Sequence, residues 1–150
     1  MKNGMFILLA FLIIGACDDD DNGANSKVTE VETKAISGQW IITYFADHDS
    51  YETDNFTGYV FEFGSDNHVR ATLGSTTVYG SWSVTSDDSG DDNSNGEFED
   101  IDFNISFSAP PDFEELSEDW EIIFLTNTKI ELRQVSGGKG GTDRLTFENI

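Results

Sequence analysis

From Gly38 to the C terminus, apolar and polar residues alternate in short runs, and that two-residue period predicts strands rather than helices. Trp40, Ile42 and Tyr44 alternate with Ile41, Thr43 and Phe45, and an acidic loop through Asp47-His48-Asp49 follows. Tyr59, Phe61 and Phe63 share the next face and end at the turn Gly64-Ser65-Asp66-Asn67. Val69, Ala71 and Leu73 oppose His68, Arg70 and Thr72, and Val78, Gly80, Trp82 and Val84 then face one way. After a loop of Asp, Ser, Gly and Asn at 86–96, Ile101, Phe103, Ile105 and Phe107 face inward, while Asp102, Asn104 and Ser106 face water. Three further runs, at 120–125, 129–135 and 144–148, complete the set.

Two segments break the period. Pro110-Pro111, acids in the first turn, and Phe113 with Leu116 at i,i+3 predict one short helical turn near 112–118. Residues 18–36 hold no sustained period, which reads as a flexible acidic tether over 17–36; the alternative is a short helical turn from Val28 to Ala35 packed on the fold. The expectation is therefore all-β, with about eight short strands. Their connections are too short for crossover helices, which favours an antiparallel up-and-down meander. Such a meander closes into a barrel or splits into a β-sandwich, and closure removes the exposed edges.

The N terminus has a different grammar. Lys2 precedes an unbroken apolar run from Met5 to Ile14, and Gly15-Ala16-Cys17 follows. That is the pattern of a secretory signal, too short to span a membrane with its flanks. Ile14-Gly15-Ala16-Cys17 resembles a bacterial lipobox, which implies cleavage before Cys17 and acyl chains on it. The organisation is then a signal at 1–16, a tether at 17–36 and one β-domain at 37–150. Losing 16 of 150 residues leaves 134, within the size of one domain. With Lys2 gone, seven basic residues face 29 acidic ones, a net charge of −22. A field of that sign repels nucleic acid and anionic head groups, so no nucleic-acid partner is expected and the membrane is reached through lipid alone. Cys17 is the only cysteine, which excludes an intrachain disulfide and leaves stability to a core rich in aromatics, 12 of them Phe.

Gly38-Gln39-Trp40 at the head of the first strand resembles the Gly-x-Trp signature of lipocalins, and Gly80-Ser81-Trp82 repeats it. The resemblance implies a barrel plugged by Trp40, with an arginine from near the last strand over the indole. Arg144 is the matching position and Arg133 the second, a cation–π contact of about 0.5–2 kcal/mol. Residues 37–150 also resemble the short lipocalin-like lipoproteins of Bacteroidota. In those, an acidic run such as Asp18-Asp19-Asp20-Asp21 acts as a surface-export signal. Aspartate beside the lipidated cysteine also resembles an inner-membrane retention mark, so the expected address is the outer membrane and cell surface, with the periplasmic face of the inner membrane as the alternative.

Candidate chemistry is sparse. Asp91, Asn93, Asn95, Gly96, Glu99 and Asp102 follow the oxygen-ligand spacing of an EF-hand calcium loop, Asp102 replacing the bidentate Glu. An acidic hairpin loop is the plainer reading. His48 with Asp47, Asp49, Glu52 and Asp54 suggests a metal site, against a plain surface loop; His68 reads as a surface residue. No Gly-x-Ser-x-Gly or His-Glu-x-x-His is present, and Gly137 to Gly141 lacks the phosphate-loop order, so no catalytic residue is assigned and no enzyme is expected. Calcium is the only candidate cofactor. Phe45, Tyr51, Phe56 and Tyr79 read as outward aromatics fit for a recognition patch. Function then turns on the barrel interior. An empty one implies a binder of a small apolar or amphipathic ligand. One blocked by Trp40, Phe61, Trp82, Phe103 and Trp120 implies a structural or interaction module that meets an envelope-surface partner.

Overall fold

A computed structural model describes residues 21–48, 50–86, 97–98, 100–135 and 140–150. The strands are β1 (Trp40–Asp47), β2 (Ser50–Tyr51), β3 (Val60–Phe63), β4 (His68–Leu73), β5 (Thr76–Ser86), β6 (Ile101–Ser106), β7 (Asp119–Leu125), β8 (Lys129–Val135) and β9 (Thr142–Asn149). A helix α1 (Asp21–Ile36) precedes them and a one-turn helix α2 (Pro111–Glu114) sits between β6 and β7. All neighbours are antiparallel, from β1 and β3 in sequence order to β9, and β9 pairs back onto β1. Eight strands therefore form a closed up-and-down barrel of lipocalin-like form, with β2 added at the end of β1. The sandwich alternative is excluded by the β1–β9 ladder, which runs from Trp40–Asn149 to Ala46–Arg144.

Strand alternation places the core. Trp40, Phe61, Trp82, Phe103 and Trp120 are all buried, as are Ile101, Ile130, Leu132, Leu145 and Phe147. Two bulges shift the phase. One between Ile42 and Tyr44 turns Tyr44 outward and Phe45 inward, and one between Ile122 and Phe124 exposes both Ile123 and Phe124. The bulge corrects the reading of Phe45 as an outward aromatic: it is fully buried. Phe56 is buried too, in a 3-10 turn at Thr53–Phe56 that fills the gap where β1 and β3 share only the Trp40–Phe61 pair.

Both barrel ends are closed. At the near end, where the chain enters β1, α1 lies against β3, β5 and β6. Residues 21–36 are thus helical, which corrects their reading as flexible tether. The cause is the 28, 31, 35 spacing, which lines Val28, Val31 and Ala35 along one helical face; Val31 and Ala35 are fully buried against the core. The Trp40 indole N–H donates to the Ala35 carbonyl at 2.8 Å and ties the helix to the barrel. At the far end, Phe113 of α2 enters a nest of rings, edge-to-face with Phe56, Tyr59 and Phe107 and stacked on Phe61, with centroids 5.1 to 6.0 Å apart. The other two indoles are also satisfied, Trp82 donating to Gly64 and Trp120 to Leu116. No buried side-chain polar atom among the described residues lacks a partner.

Gly80 allows a close approach in this packing. A Cβ there would lie 2.5 Å from the Ser106 carbonyl and 2.6 Å from the Phe107 ring.

Candidate functional site

Among the described residues the interior is filled by aromatic and aliphatic side chains, and prominent clefts lie on the outside. One, about 540 Å3, runs from the end of α1 along β3, β4 and β5, lined by Ile36, Glu62, Asp66, His68, Arg70 and Tyr79. Its charges are mostly internal: the Arg70 guanidinium donates to Glu62 at 2.6 Å, and this bond holds the Glu62 carboxyl below its ordinary value. His68 is exposed, as expected of a surface residue, and its backbone N–H donates to Asp66.

The far rim gathers the titratable groups. Asp47 ends β1, and His48 turns the chain with φ of 52°, in the left-handed region. Asp143, almost fully buried at the start of β9, accepts the His48 backbone N–H at 2.6 Å. The His48 ring Nδ1 lies 2.5 Å from Asp47 Oδ1 and 3.4 Å from Asp143 Oδ1. Gly141 is required beside them, because a Cβ there would meet His48 at 2.9 Å.

Ligand atoms of Asp47, His48 and Asp143 all lie within 4.8 Å of one another, a spacing that suits either an imidazolium shared by two carboxylates or a divalent cation. This group differs from the one expected around His48. Asp47 belongs to it, but Glu52 instead meets Glu115, and Asp54 is exposed on the 3-10 turn. Asp49 lies outside the described residues. Asp143, 95 positions from His48, carries no sequence signal of the contact.

The surrounding carboxyls feel the crowding. Glu115 is pushed up to about 7, first by partial burial, then by its hydrogen bond with Glu52 and by the charges of Glu52, Asp47 and Asp112. Glu118 is raised by burial and by Asp143.

Of the calcium loop, Asp91, Asn93, Asn95 and Glu99 lie outside the described residues. Asp102 is in β6, opposite Thr85 and Glu121, so the flanks are strands and the helical frame of an EF-hand is absent there. Cys17 and Asp18 to Asp20 also lie outside the described residues; Asp21 opens α1. No described helix is long and apolar enough to cross a membrane.

Trp40 is fully buried, but antiparallel register places it opposite Asn149. Arg144 pairs with Ala46, six positions away along β1, and is exposed on the outer wall, so it does not cover the Trp40 ring. Arg133, the second choice, faces outward as well and holds Glu121 at 2.6 Å.

Comparison with protein-family models, curated proteins and solved structures finds no match to this chain.

Proposed function

We propose that the chain is an exported lipoprotein, acylated on Cys17, whose barrel is an interaction module of the cell envelope that works through its outer wall. The filled interior carries this reading: Trp40, Phe61, Trp82, Phe103 and Trp120 are at most 4 % exposed, with α1 and Phe113 closing the ends. Ligand pockets of the usual kind need an open volume of roughly 300–1,000 Å3, which such packing denies to a fatty acid or similar apolar molecule. The lipobox-like Ile14-Gly15-Ala16-Cys17 supports the anchor. The acidic run from Asp18 supports the outer-membrane surface as its address.

Titration of the purified protein with a long-chain fatty acid, followed by tryptophan fluorescence, tests the filled barrel: no saturable change is expected, and one-to-one binding would overturn it. Acyl labelling of cells should mark the wild type and not Cys17→Ser. Surface biotinylation of intact cells should reach it, and a protected inner-membrane protein would refute the export reading.

A further inference from the structure

Arg144 is an anomaly in a chain with 29 acidic residues. The other two arginines each hold a carboxylate, Arg70 with Glu62 and Arg133 with Glu121, both at 2.6 Å. Arg144 is exposed and has no carboxylate within ion-pair distance among the described residues. It also sits directly opposite Arg133 in the β8–β9 ladder, where like charges repel. The carboxylates around it hold other partners: Asp47 and Asp143 are both turned onto His48, and Glu131, which lines one cleft with Arg144, pairs with Lys129.

Rigid aromatic surface lies beside this charge. Tyr44 and Tyr51 are 40 % and 59 % exposed and meet edge-to-face at 5.8 Å. Two adjoining clefts of about 390 and 400 Å3 meet here, and Tyr44 and Arg144 line both. Strand register fixes the arrangement, since Ala46 pairs with Arg144 on one side and with Tyr51 on the other. A guanidinium on a strand with no ion pair among the described residues, beside two stiff rings, has the elements for holding one carboxylate while a ring lies against the tyrosines. The overall charge of −21 selects against polyanions and leaves small monoanions as the class that fits.

The geometry points to a binding site for a small ring-bearing carboxylate on the outer wall, with Arg144 as the anion contact and Tyr44 and Tyr51 as the ring contacts. This rests on the reading that the barrel acts through its outside, and it names the ligand chemistry. A sugar acid and an aromatic acid share that chemistry.

Saturation-transfer NMR on the purified protein, with D-glucuronate, benzoate, methyl glucoside and acetate as separate probes, separates them. Saturable binding of glucuronate assigns a sugar acid, and of benzoate an aromatic acid; either supports the site. Arg144→Gln and Tyr51→Ser, both at exposed positions, should each retain the wild-type near-ultraviolet dichroism, and Arg144→Gln should weaken binding at least tenfold. The site is overturned if neither cyclic carboxylate binds, if acetate or methyl glucoside binds as tightly, or if both variants bind as the wild type does. Fatty-acid quenching of the buried tryptophans in the same samples reports the interior separately, so an open barrel and an absent surface site give different results.

Discussion

Phe113→Ala is the sharpest test of the closed far end. Phe113 is 2 % exposed and packs its ring against four others. Truncating it re-exposes or empties roughly 150 Å2 of ring surface, about 4 kcal/mol at 25 cal/mol/Å2. Lost edge-to-face contacts add to that figure, and partial collapse of the one-turn α2 subtracts from it. The expected loss therefore stays within the about 3–5 kcal/mol typical of buried Phe→Ala. For a domain of this size each kcal/mol moves Tm by roughly 3–5 °C, so the midpoint should fall by about 10–20 °C. Urea unfolding followed by tryptophan fluorescence gives the free energy, and calorimetry gives the midpoint. The vacated space is apolar, so millimolar benzene should restore part of the stability in the variant and none in the wild type. A loss below about 1 kcal/mol would mean the ring is not packed and the far end is open.

Val31→Asp places an unpaired charge at a fully buried position of α1 and should cost several kcal/mol by urea unfolding; a change within about 0.5 kcal/mol would return residues 21–36 to the role of a loose tether. Gly80→Ala drives a Cβ into Ser106 and Phe107 and should destabilise by about 1–3 kcal/mol, whereas a neutral result would show slack between β5 and β6. For Glu115 the folded-state value of about 7 exceeds the ordinary 4.5, so between those values the folded chain holds a proton that the unfolded chain has released. Stability should therefore fall as pH rises from about 4.5 to 7, and Glu115→Gln should flatten that slope; an unchanged slope in the variant would remove Glu115 from the account.

Much of the barrel was legible because the two-residue period survives in β3, β6, β8 and β9; in β4 it holds for Val69 and Ala71, while Leu73, expected on the same face, is exposed at the strand's end. It fails where a bulge inserts a residue, as at Thr43 and Ile123, because a period of two reverses face at each insertion. The short helix was legible from Pro111, Phe113 and Leu116, and both apolar residues are buried. Helix α1 was legible only as the alternative, a helical turn from Val28 to Ala35: these residues are correctly spaced, but the polar residues between them look like a tether until a barrel end exists to bury that face. The site was least legible. That Arg144 pairs six positions from Trp40, and that Asp143 reaches His48, depend on the register of β9 on β1, and a hydrophobic pattern fixes the face of a strand but not the partner of a polar residue.

The same division between face and partner locates function. Inward positions are committed to one another: rings meet rings and every described indole N–H has its carbonyl, so altering them changes stability before it changes recognition. Outward positions are under no such constraint, and there the economical arrangement for a strongly acidic chain is to neutralise every arginine, as with Arg70 and Arg133. An arginine left exposed, opposite another arginine and beside two exposed tyrosines, costs folding free energy without returning any to the core. Local rules are broken at functional positions more often than elsewhere, which directs the search to the wall around Arg144 before the barrel's interior.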